Sequence, residues 1–143
     1  MKNIIVIGLA ALIVIFNALI GHFFAPNGIL LIPLVLAGTT SLITFGTTKI
    51  NVIWISVLCF LVVSLNDLLI KFYSGGLHDS EGQGWIHMLL FVGLIPTTIV
   101  LLISIFRQKE ATTFHKIIAV IIFPILLMMY LHLFSDFGLK ELS

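Results

Sequence analysis

The chain has 143 residues, of which 60% are hydrophobic and 9% charged, with mean hydropathy +1.26 and a formal net charge of +1. Soluble domains carry about a quarter charged residues, so a water-soluble globule is excluded: too few charges exist to cover its core. No run of basic or acidic residues points to nucleic acid, and the expected surroundings are a lipid bilayer.

A helix needs about 20 apolar residues to cross a hydrocarbon core about 30 Å thick. Five segments meet or approach that length. The first is Ile4 to Phe24. Its opening, Met1-Lys2-Asn3 followed by Ile4 to Phe16, has the charged and apolar regions of a signal peptide. The apolar run continues to Phe24 with no small-x-small cleavage site after it, so the segment reads as a membrane helix. Ala25-Pro26-Asn27-Gly28 reads as a tight turn, because Pro presets φ while Asn and Gly tolerate positive φ.

The second segment, Ile29 to Phe45, is short and has Pro33 near its start. Gly38, Thr39, Thr40, Ser41 and Thr44 give it a small polar surface suited to close helix packing or to a polar pathway. It is expected either to span or to form a re-entrant hairpin. The third segment, Ile50 to Phe72, contains Cys59, the lone cysteine, which rules out an intramolecular disulfide or a CxxC motif. Tyr73 to Gly84 reads as an outer polar loop, and Trp85 to Phe106 as the fourth segment. Arg107-Gln108-Lys109-Glu110 is a charged stop, and Thr112 or Thr113 can cap the fifth segment, Phe114 to Phe134. Pro96 and Pro124 predict kinks, with Thr97 and Thr98 placed to satisfy carbonyls freed by Pro96.

The fold class predicted is therefore an all-α integral membrane bundle of five transmembrane helices, a single domain over residues 1–143. If the second segment spans, Lys2, Lys49, Arg107, Lys109 and Lys116 share one side, with Lys71 and Lys140 opposite. That bias places the N-terminus in the cytoplasm and the C-terminus outside, as in a bacterial-type inner membrane. Tyr73, Trp85 and Tyr130 then gather at the outer interface and Trp54 at the inner one.

The same topology brings His22, His78, His87 and His132 to the outer side, and leaves His115 at the inner side. His22, His87 and His132 each lie about 3 Å from an expected helix boundary, and Asp67 about 7.5 Å inside one. Imidazole and carboxylate are a reasonable first shell for Zn, Mn or Fe, so His22, His87, His132 and Asp67 are candidate metal ligands. His22 with His87 or His132 can also be read as axial haem ligands. His78, Asp79 and Glu81 form the polar part of the outer loop. The competing reading is structural: Asp67 and Lys71 are four apart, as are His132 and Asp136, and Lys71 is expected to snorkel outward while neutralising Asp67. Asn66-Asp67 remains the most informative pair in the membrane region, since ionisable residues there are costly and face the bundle interior or a cavity.

Three functional classes follow. The first is a non-enzymatic subunit or interaction partner in a membrane assembly. The second is a homo-oligomeric channel or transporter, and the third a metal-dependent enzyme with its site at the outer face.

Overall fold

The computed structural model describes residues 2–73 and 80–134. These fold as α1 (Lys2–Phe23), α2 (Asn27–Leu30), α3 (Ile32–Gly46), α4 (Val52–Tyr73), α5 (Ser80–Arg107) and α6 (Thr113–Phe134), with no strand among the described residues. Among them α1, α4, α6 and the α5 stretch Glu81–Arg107 are long and apolar enough to cross a membrane, and Ile32–Gly46 is a shorter apolar helix. The chain is a multi-pass membrane protein. Large apolar side chains are correspondingly exposed along whole helix faces, among them Ile4 and Leu12 on α1, Ile95 on α5, and Ile121 and Met128 on α6. In lipid such faces need no cover.

Helix α4 is the hub. It packs against α1, α3, α5 and α6, while α3 also lies between α1 and α5. The core is built from Val14, Leu36, Ile43, Ile55, Cys59, Val63, Leu90 and Leu101, drawn from α1, α3, α4 and α5, and closed by Phe123 of α6.

The second predicted segment starts earlier than its apolar run suggests. Asn27 already begins a helical turn, so the tight turn is confined to the residues just before it. Leu31 breaks the path between α2 and α3, and Pro33 sits in the first turn of α3, where its missing N–H has no intrahelical partner to lose. The stretch 27–46 covers about 30 Å at helical rise. It runs antiparallel to α1 along the bundle: a Cβ on Gly28 would lie 2.4 Å from Gly21 Cα, and one on Gly46 would lie 3.0 Å from Val6. Asn3 fixes that second end, donating from Nδ2 to Thr48 O at 2.8 Å and accepting from Thr48 N at 2.9 Å.

Two expectations about small and hydroxyl residues change. Gly38 is not a contact point, since a Cβ there meets nothing within 4 Å. The close approaches are Gly28 on Gly21 and Gly93 on Pro33, where a Cβ would lie 2.9 Å from Pro33 Cα. The hydroxyls of Thr39 and Thr44 turn back onto their own helix, bonding Val35 O at 2.6 Å and Thr40 O at 2.8 Å. Thr97, expected to relieve the backbone near Pro96, is buried with its Oγ1 unpartnered.

Ser80 to Gly84, read from the sequence as part of a polar loop, are helical and belong to α5. Glu81 thus lies in a first helical turn, where a carboxylate suits the positive end of the helix dipole. Gly82 and Gly84 each cost helix propensity, but burial of Gln83 and Ile86 on the same stretch holds it in the helix. His78, Asp79, Asp136 and Lys140 lie outside the described residues.

Candidate functional site

Two consecutive residues of α4, Asn66 and Asp67, are buried and bond side chains of two different helices. They point about 100° apart, as adjacent helical positions must, and so address different neighbours. Asn66 faces α1, where Asn17 Nδ2 donates to Asn66 Oδ1 at 3.0 Å. Asp67 faces α6, where the Tyr130 hydroxyl donates to Asp67 Oδ2 at 2.5 Å. Lys71, one turn along α4, closes the set with Nζ 2.7 Å from the same Oδ2.

The ion pair is fully enclosed: Asp67 is 1% exposed and Lys71 2%. Lys71 is the partner its i, i+4 spacing from Asp67 predicts, but it points the other way. Lys71 does not snorkel outward; it turns into the bundle and also donates to Phe134 O at 3.1 Å. Phe134 is the last described residue of α6, so the ammonium bonds a carbonyl of that helix as well as pairing with the carboxylate. Its Nζ lies 6.0 Å from the Tyr130 ring centroid. Phe60 and Phe134 pack against the same ring, with centroids 6.3 Å and 5.2 Å away. Tyr130 is therefore a buried member of the network and not the interfacial anchor expected of it.

Tyr130 and Asn17 were missed as site residues. A signal for both existed. Each is a polar group inside a long apolar run, and a buried hydroxyl or amide requires a partner. Asn17 Oδ1, Asn66 Nδ2 and Asp67 Oδ1 are buried without a hydrogen-bond partner, so the network retains polar capacity beyond the bonds it makes.

The predicted histidines distribute differently. His22 is exposed at the end of α1, with Nδ1 2.9 Å from Tyr73 O and its ring stacked on Tyr73 at 4.4 Å between centroids. His132 is exposed near the end of α6. His87 lies about 10 Å inside α5 and not near its start, because that helix begins at Ser80. Asp67 is engaged by Lys71 and Tyr130. Among the described residues no group of three His, Cys, Asp or Glu side chains is assembled to hold a metal ion.

Comparison with protein-family models, characterised proteins and solved structures finds no match to the chain. The functional reading therefore rests on the geometry of these residues.

Proposed function

We propose that the chain is a five-crossing bundle of a bacterial-type inner membrane, N-terminus inside, acting as a non-enzymatic subunit or interaction partner in a membrane assembly. The five-crossing topology is supported by the course of 27–46, which has one end against Gly21 and the other against Val6. A re-entrant hairpin would return Gly46 to the Gly21 end. With that crossing, Lys2, Lys49, Arg107, Lys109 and Lys116 share the end taken as cytoplasmic.

The observation that carries the non-enzymatic reading is the mutual engagement of Asp67, Lys71 and Tyr130. The buried charges of α4 neutralise each other and tie α4 to α6. Their chemistry goes into holding helices together, which suits a component whose lipid-embedded faces meet other membrane helices.

The test is affinity purification of the tagged protein, at native expression level, in a mild detergent after crosslinking. A second membrane polypeptide recovered at fixed stoichiometry is expected. Recovery of this chain alone, with ion flux in proteoliposomes that Asp67→Asn abolishes, overturns the reading in favour of a transporter. That second reading has its own observation: the unpartnered Asn17 Oδ1, Asn66 Nδ2 and Asp67 Oδ1 are polar atoms a permeating proton or cation would use. A reporter fused at Lys49 tests the topology, with a cytoplasmic signal expected and an external one overturning it.

A further inference from the structure

The end of the bundle opposite the Asp67 network holds a cleft of about 1050 Å³ formed where the loop after α3 meets the loop after α5. Lys49, Arg107 and Lys109 line it, against one carboxylate, Glu110. The α4 and α6 N-termini both open on it, through Asn51 and Thr112. Each residue caps its helix: Asn51 Oδ1 accepts from Ile53 N at 3.0 Å, and Thr112 Oγ1 from His115 N at 3.4 Å. Helix N-termini favour anions.

The C-termini of α3 and α5 also reach this end, and three of their carbonyls accept bonds from side chains. Thr47 Oγ1 donates to Ile43 O at 2.6 Å, Ser104 Oγ to Thr44 O at 3.5 Å, and Lys116 Nζ to Phe106 O at 3.4 Å. Three cationic side chains against one carboxylate leave the lining with a positive charge balance. Lys49 enters it from a left-handed backbone conformation, φ 58°, uncommon for a residue with a Cβ.

A second, apolar groove of about 210 Å³ lies between the end of α5 and the first turns of α6, and two residues that line it, Phe106 and Thr113, are next in sequence to Arg107 and Thr112 of the cleft. Phe106, Ile117, Val120 and Ile121 line it, and Lys116 stands at its mouth. A basic cleft with an apolar groove beside it, where Phe106, Ile117 and Ile121 are exposed, matches one ligand class in both halves. The geometry points to a resident anionic phospholipid, its phosphate headgroup held by Lys49, Arg107 and Lys109 and one acyl chain lying in the α5–α6 groove. Free phosphate shares the headgroup chemistry and would leave the groove without a role. Basic pockets between membrane helices are known to bind anionic headgroups in this way.

The experiment is thermal unfolding of the full chain in a neutral detergent at low salt, with phosphatidylglycerol, phosphatidylcholine of the same acyl chains, or inorganic phosphate added. Phosphatidylglycerol is expected to raise the midpoint and the other two to leave it unchanged. The triple variant Lys49→Gln, Arg107→Gln, Lys109→Gln should bind phosphatidylglycerol on the order of 100-fold more weakly. Glu110→Gln should strengthen binding about fivefold, which keeps the test decisive if the triple variant does not fold. Val120→Trp, filling the groove, should weaken phosphatidylglycerol binding with the headgroup site intact. Equal shifts from the two lipids overturn the site, and a shift from phosphate matching that from phosphatidylglycerol overturns the lipid as occupant. Binding is read in micelles, so a reversed topology would change which leaflet supplies the lipid and leave this result standing.

Discussion

Lys71→Met should destabilise the bundle by about 3–5 kcal/mol, measured by reversible unfolding in detergent, because it leaves the Asp67 carboxylate buried without its cation. Breaking a buried pair on one side costs far more than removing both charges. The double variant Asp67→Asn, Lys71→Met should therefore recover to within about 1 kcal/mol of the parent. Tyr130→Phe belongs to the same cycle. It removes a hydrogen bond to a charged acceptor, worth about 1.5–3 kcal/mol, and its effect should shrink once Asp67 is already Asn. A Lys71→Met cost below about 1 kcal/mol would show that the pair is not formed in the folded protein.

The second large effect is expected at Gly28. A Cβ there would stand 2.4 Å from Gly21 Cα, 2.6 Å from Gly21 N and 2.8 Å from Asn17 O. All three are backbone atoms, so no rotamer change relieves the clash and α2 must part from α1. Gly28→Ala should cost at least about 2–3 kcal/mol. It should also loosen the Asn17–Asn66 bond, since the displaced part of α1 carries Asn17. Gly38→Ala is the internal control: with nothing within 4 Å of the new Cβ, it should gain about 0.5–1 kcal/mol from helix propensity. Equal effects at the two positions would contradict the α1–α2 contact.

Apolar runs made α1, α4 and α6 legible almost to the residue, because a bilayer demands a minimum length and permits little else. The i, i+4 spacing made the Asp67–Lys71 pair legible for the same reason: it is local to one helix. What the sequence could not convey is how helices are rotated against each other. Whether Tyr130 faced lipid or Asp67, and whether Asn17 found Asn66, depends on which face of α6 and α1 meets α4. Shared depth misled for the histidines on the same ground. His22 and His132 both lie at the Lys71 end, yet neither side chain turns into the bundle. The basic cleft was invisible because Lys49 comes from the loop after α3 and Arg107 from the last turn of α5, which only folding brings together.

Asp67 and Lys71 also share a helix that is made before its partner α6. Inserting a lone charge costs about 2.5–3.5 kcal/mol at a helix centre and less toward the end, where Asp67 and Lys71 lie on α4. Since the two sit one turn apart on α4, they can neutralise each other as soon as that helix coils, while α6 is still being synthesised. The segment thus leaves the translocon as a nearly neutral rod. Tyr130, later in the chain, then meets a carboxylate already paired, and no stage of insertion requires a naked charge in hydrocarbon.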